Sequence, residues 1–360
     1  MIDMSSLSDF GLGWLEASGP HADIVLSTRL RLARNLQGHA FSTKLRDSER
    51  AAIYEQVKAA AEHNFDLKGG ITFDLADLSP LSRRVLLERH LISRELAGES
   101  GEAPVRGAGL ILGPRDTVGL MINEEDHLRL QTLTSGLRLA DSYDRIDRID
   151  EELGSRIPFA YHQEFGFLTS CPTNVGTGLR ASVLIHLPGL VLTKQIGQVL
   201  QGLGQMGLTF RGLYGENSEV IGNFFQISNQ TTLGKSEEDL IEHLQKIVSK
   251  VIQVEIEKRD VLMRDAPAVM EDKIWRAYGL LRYARSLSFD EVMNLLSGVR
   301  LGVSMNLLKG IRVYTLNKIM IYAQTAHLEQ AAGRTLSEAE SDLHRAAYVR
   351  RVLEAEASVT

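Results

Sequence analysis

Ser27-Thr28-Arg29-Leu30-Arg31-Leu32-Ala33-Arg34-Asn35 carries two arginines at i and i+2. In an extended segment those positions point to one face. Arg29 and Arg31 are therefore expected to project together from a strand. Each offers a planar, permanently charged fork that matches phosphate oxygens. A strand early in the chain has to be fitted among helices. Residues 44–65 read as an amphipathic helix and 78–97 as a second, with Ser79-Pro80 near its start. Residues 98–109 form a Gly/Pro-rich loop, and 109–123 read as a β-hairpin turning at Gly113-Pro114-Arg115-Asp116. Residues 136–156 suggest a helix with ions at helical spacing. Segments 158–187 and 207–228 are strand-rich around a helix near 189–203, and 236–260 are helical. The pattern breaks at Pro267, and 271–356 is nearly all helix. The expected fold class is α+β, with a catalytic domain over 1–262 and an all-α domain over 263–360.

The 360 residues are 44% hydrophobic and 24% charged, an ordinary profile for a chain that folds around its own core. A net charge of -6 gives no sign of nucleic-acid or anionic-membrane partners. The 29 arginines against 11 lysines fit either phosphate recognition or a compositional bias, so position must decide. One cysteine, Cys171, leaves no disulfide within the chain and fits a reducing compartment. No Cys/His cluster has zinc spacing. There is no signal-peptide pattern and no run of ~18 apolar residues, so a cytoplasmic location is expected.

Residues 202–207 spell Gly-Leu-Gly-Gln-Met-Gly, formally a dinucleotide fingerprint. That site needs a strand before it and a helix after it, and here the predicted order is reversed. A glycine-terminated helix is the better reading. Neither a phosphate-binding G-x-x-x-x-G-K-[ST] loop nor protein-kinase signatures occur. Dispersed arginines remain: Arg29, Arg31, Arg129 after Asn123-Glu124-Glu125-Asp126-His127, Arg180 after Cys171-Pro172-Thr173-Asn174-Val175-Gly176-Thr177, and Arg211 in Arg211-Gly212-Leu213-Tyr214-Gly215-Glu216.

These blocks, in this order over residues 27–230, resemble the ATP:guanido phosphotransferase superfamily, and the layout resembles its McsB-type bacterial protein arginine kinases. The resemblance implies a mostly antiparallel sheet flanked by helices, followed by a helical domain. It implies ATP and Mg2+, with magnesium bridging phosphate oxygens. ATP would be bound by Ser27, Thr28, Arg29, Leu30, Arg31, His90, Arg129, Arg180, Ala181, Ser182, Val183, Leu184, His186, Arg211, Gly212, Leu213, Tyr214 and Gly215, with the five arginines clamping phosphate. His186 would stack on adenine. Creatine and arginine kinases have a histidine where this chain has Leu184. Glu125 and Glu216 would grip the guanidinium, and one would take its proton. Glu124, Asp126 and His127 would support them, and Cys171 would stabilise the substrate cation. Small-molecule guanidino kinases carry a helical domain before the first block, whereas here the block starts at residue 27. That layout, and Tyr214 where arginine kinases have arginine, favour a protein acceptor.

In the helical tail the family's R-D-x-x-R-A phosphoarginine motif corresponds to Ser341-Asp342-Leu343-His344-Arg345-Ala346, leaving Asp342 and Arg345 for that ligand. The implied partners are proteins with exposed arginines, a zinc-finger activator, a Clp-type ATPase or stress repressor, and a second copy of the chain. A free-arginine kinase and a non-catalytic phosphoarginine-binding adaptor are the alternatives. The first would consume ATP with free arginine alone, and the second would bind phosphoarginine peptides without turnover.

Overall fold

The computed structural model describes residues 10–41, 45–98, 106–114, 117–212 and 220–357. In chain order the elements are β1 (Val25–Arg34), α1 (Asp47–Ala61), β2 (Ile71–Asp74), α2 (Pro80–Glu88), α3 (Arg94–Ala97), β3 (Gly109–Leu112), β4 (Val118–Ile122), β5 (Leu128–Ser135), α4 (Leu139–Gly154), β6 (Tyr161–His162), β7 (Gly166–Phe167), β8 (Leu179–His186), α5 (Pro188–Leu192), α6 (Ile196–Gln205), β9 (Leu208–Arg211), β10 (Phe224–Asn229), α7 (Glu237–Asp265), α8 (Pro267–Tyr283), α9 (Phe289–Ser304), α10 (Val313–Tyr322), α11 (Thr325–Ala332) and α12 (Glu338–Ala357). Eight strands form one sheet in the order β2-β3-β4-β5-β1-β8-β10-β9, and every pairing is antiparallel. The α+β class and the antiparallel sheet agree with the sequence expectation.

The sheet is built around β1, which pairs β5 on one side and β8 on the other. Its two faces have different fates because side chains alternate along a strand. Leu30, Leu32, Leu130, Ala181, Val183 and Ile227 are buried against the apolar stripes of α1, α4 and α7. Ile146, Ile149 and Leu153 on α4 recur at helical spacing and supply part of that cover. Ser236 caps α7 by accepting from the Asp239 backbone N–H, while Asp239 reciprocates on the Ser236 N–H. A second core joins α8, α9, α10 and α12 to Leu12, Trp14, Leu15, Leu26, Leu133, Leu184 and Phe224. The C-terminal helices thus pack on the far end of the other sheet face.

Two expected elements differ from the structure. The helix predicted over 78–97 is two helices, parted at His90, whose φ is +60°. The helix predicted to stop at 260 continues to Asp265. Ala266 then leaves the helical region and Pro267 opens α8, since proline lacks the N–H that a continuing helix requires. The Gly-Leu-Gly-Gln-Met-Gly stretch does end a helix, α6, and lead into a strand, with Gly207 left-handed at φ +74°.

Candidate active site

The strand register gathers the arginines. Arg31 lies opposite Gln131 on β5 and Arg180 on β8, while Arg29 lies opposite Leu133 and Ser182. Arg129 faces Ala33, and Arg211 pairs Gln226, which pairs Leu184. Cross-strand partners share a face. Arg29, Arg31, Arg129, Arg180 and Arg211 therefore all rise from the face opposite the main core. They span five adjacent strands, roughly 19 Å at the usual strand spacing.

Among the described residues, few carboxylates neutralise this face. Burial and the charges of Arg180 and Arg129 push the Arg29 guanidinium down to about 10. Burial, Arg29, Arg129 and Arg180 hold Arg31 well below its ordinary value, with only Glu124 opposing. Arg129 differs. Burial lowers it, but Glu124, Glu125 and Asp126 outweigh burial and raise it overall. Its fork donates to Glu124 Oε1 at 2.6 Å and to Glu125 Oε2 at 2.9 Å. The Arg29 Nε donor is buried without a protein partner.

At the Arg29 end the face opens into a cleft lined by Trp14, Ser27, Arg29, His90, Leu133, Ser182, Leu184 and Gln226. Trp14 meets the His90 ring edge-on, with centroids 5.6 Å apart. Gln131 donates to the His90 carbonyl at 3.0 Å. Burial and Arg29 lower the His90 imidazole to about 3. At the Arg129 end stands the acidic block. Glu125 is exposed, whereas Glu124, Asp126 and His127 are buried. Asp126 Oδ1 accepts from Asn35 Nδ2 at 2.7 Å and from the Ser170 backbone N–H at 2.6 Å. Glu125 and Cys171 therefore flank a single hydrogen bond between their chain neighbours. Cys171 Sγ lies 3.0 Å from Thr173 Oγ1. His127 Nδ1 accepts from the Leu36 N–H at 3.0 Å, and its Nε2 lies 2.9 Å from the Ala40 carbonyl. Beyond that loop the chain enters β8 through Gly178, at φ +63°. A Cβ there would come within 2.7 Å of the Ala33 carbonyl, so only glycine fits.

Other expected residues lie elsewhere. Thr28, Leu30, Ala181 and Val183 alternate to the core side, where Thr28 Oγ1 donates to the Gly136 carbonyl. Arg34, next in the opening stretch, also faces the core side. It binds Asp150 through Nε and Nη2 at 2.7–3.1 Å and ties β1 to α4. His186 has the parity of the site face but is fully buried, stacked on Phe224 and 2.8 Å from Ser297 Oγ of α9. It does not reach the cleft. Gly212 follows β9 and is buried, and Leu213, Tyr214, Gly215 and Glu216 lie outside the described residues. On α12, Arg345 is buried and donates to the carbonyls of Ala323 and Leu287 and to Asp342, so this pair fastens two helix junctions. Sequence reading missed Trp14, Leu133 and Gln226. Only the Arg129-Gln131-Leu133 alternation hinted at the second of these.

Two buried histidines give a pH prediction. Burial keeps His90 at about 3, and burial with Arg259 and Arg300 holds His186 well below the usual range. The unfolded imidazole binds a proton near pH 6.5 and the folded one does not, so stability falls as pH drops below about 6.5. Each histidine steepens that fall by up to about 1.4 kcal/mol per pH unit. Melting temperatures between pH 7.5 and 5 are expected to decline, and a flat profile would contradict this.

Comparison with known proteins fits the same geometry. Residues 52–258 match the family described as ATP:guanido phosphotransferase, C-terminal catalytic domain, and residues 267–360 match the Protein-arginine kinase McsB C-terminal domain. A protein-arginine kinase of Moorella thermoacetica is 45% identical over 343 residues, covering 94% of this chain and 97% of that one. The chain belongs to the protein-arginine kinases. A Bacillus cereus protein-arginine kinase is 43% identical over 95% of this chain and 96% of its own. Among solved structures, a lombricine kinase superposes with TM-score 0.58 at 25% identity, covering 67% of this chain and 70% of its own. The duplicated taurocyamine kinase of Schistosoma mansoni, with bound transition-state-analogue components, gives 0.59 at 28% identity over 70% of this chain and 35% of that protein. The protein-arginine kinase chain thus combines a guanido-phosphotransferase sheet with a helical C-terminal region. No helix among its described residues is long and apolar enough to cross a membrane.

Proposed function

We propose that this enzyme transfers the γ-phosphoryl group of ATP to the guanidinium of arginine residues in proteins. The observation that carries the reading is the arginine face running from the Trp14–Leu184 cleft to the Arg129–Glu125 pair. The apolar cleft suits a nucleoside, and the unpartnered Arg29 Nε suits a phosphate oxygen. Charge-assisted forks on rigid strands need no reorganisation during transfer. Bound with ATP, Mg2+ would supply neutralisation of the phosphate charge beside the arginine face. Arg31, Arg180 and Arg129 then direct the terminal phosphoryl group toward Glu125.

A guanidinium is a poor nucleophile until it loses a proton. Glu125 grips an N–H edge and takes that proton. The nitrogen then forms a bond to phosphorus as the bond to the ADP oxygen breaks. Glu216 is proposed as the second grip and Cys171 as a stabiliser of the substrate cation. The remaining proposals follow the family: a cytoplasmic enzyme of two domains that hands marked proteins to a Clp-type ATPase, assisted by a zinc-finger activator and able to pair with itself.

The test incubates the chain with ATP, magnesium and an arginine-rich protein and maps acid-labile phosphate by mass spectrometry. Phosphoarginine on the protein, abolished by Glu125→Ala, is expected. ATP turnover with free arginine and no protein labelling would overturn the protein acceptor. Phosphoarginine binding without turnover would overturn catalysis.

A further inference from the structure

His90 is a non-glycine residue in the left-handed region, and neither glycine nor proline explains the break it makes between α2 and α3. Such a conformation persists only where its surroundings over-determine it. The surroundings here come from the far end of the chain. Glu88, the last residue of α2, caps the N-terminus of α11. Its Oε1 accepts from the Ala326 N–H at 2.8 Å and its Oε2 from the His327 N–H at 3.1 Å. His327 Nδ1 lies 2.6 Å from Glu88 Oε2, and Arg89 Nε donates to His327 Nε2 at 3.2 Å. An arginine N–H can only donate, so Nε2 must accept and Nδ1 must carry the proton. The neutral imidazole thus bridges a carboxylate and a guanidinium in a single tautomer. Arg89 also donates to the Phe10 carbonyl at 2.8 Å, and Arg84 pairs with Glu329 of α11 at 2.5 Å. The clamp therefore seizes the two residues immediately before His90. From the other side Gln131 and Trp14 hold the His90 carbonyl and ring.

We propose that Glu88 and His327 are positioning residues for the nucleotide: the N-terminus of α11, docked on the Glu88–Arg89 corner, sets His90 in the cleft and so lets the C-terminal helices govern ATP affinity. The proposal rests on the reading of that cleft as the nucleotide site. A clamp of this kind acts on nucleotide binding more than on transfer, because Glu88 and His327 touch neither the arginine face nor Glu125. Its failure should raise KM and spare kcat.

The experiment measures KM for ATP and kcat in the full chain for wild type, His327→Ala, Glu88→Ala and His327→Asn, with melting curves to verify folding. The two alanine variants are expected to raise KM about tenfold with kcat at saturating ATP within about twofold. His327→Asn, which keeps a donor toward Glu88, should recover most of the loss. A double-mutant cycle separates positioning from general damage. In a His90→Ala background, His327→Ala should leave KM unchanged. A folded His327→Ala protein with wild-type KM, or a full additional rise in the His90→Ala background, would overturn the proposal. Wild type that binds no ATP would overturn the nucleotide reading and this proposal with it.

Discussion

Glu125→Gln lowers kcat by about 10²–10⁴-fold, the usual worth of a positioned general base, while KM for ATP stays within about threefold. The glutamine keeps the shape and one acceptor for Arg129, and Glu124 still holds the other arm of that fork. What disappears is the ability to take a proton. The pH profile gives a second signature. Partial desolvation at the edge of the site raises the Glu125 carboxyl; Arg129 opposes this, and Glu124 and Asp126 add to the rise. A base works only when deprotonated, so wild-type kcat should fall as pH drops through a value above the ordinary glutamate range. The Gln variant should show no such acid limb. Steady-state rates from pH 5 to 8 test both statements, and an unchanged limb in the variant would assign the base elsewhere.

Arg31→Met is expected to reduce kcat/KM by about 10²–10³-fold, the scale of removing one preorganised charge from a reacting site. The same change should stabilise the ligand-free protein. Arg31 is half-buried beside Arg29, Arg129 and Arg180, and its folded pKa is held well below the unfolded value. For a base so shifted, the penalty is present in full below the folded pKa and vanishes only above the unfolded one. At neutral pH the charge therefore works against folding, and a methionine of similar length removes it. Each kcal/mol recovered should raise the melting temperature by about 2–4 °C. ATP with magnesium should reverse the order, since wild type gains stability from the bound polyanion and the variant gains little. Scanning fluorimetry with and without nucleotide reads both effects. A lower melting point in the ligand-free variant would contradict the argument.

Much of the site was legible because strands alternate. Arg29 and Arg31 sit two apart, so their common face followed from the sequence alone. Strand order was not legible locally. Arg129 and Arg180 reach Arg31 only because β5 and β8 flank β1, and that adjacency joins residues 98 and 149 positions apart in the chain. His186 shows the limit of parity. It alternates onto the proper face, yet α9, arriving from Ser297, covers that end of the sheet. The break at His90 was hidden for a similar reason. Its local sequence Arg89-His90-Leu91-Ile92 has no breaker, and the contacts that hold it come from Ala326 and His327. Trp14 was missed because a lone tryptophan ahead of a strand carries no spacing signal.

The opposition between the two faces of β1 has a consequence for how the protein acquires its activity. Slipping β1 by one residue against β5 and β8 would send Arg29 and Arg31 into the layer now filled by Leu30 and Leu32, under α4 and α7. Buried charges without partners would make that arrangement untenable. The row of cations therefore penalises a one-residue misalignment of β1, so the strand register and the anion-binding face are specified together.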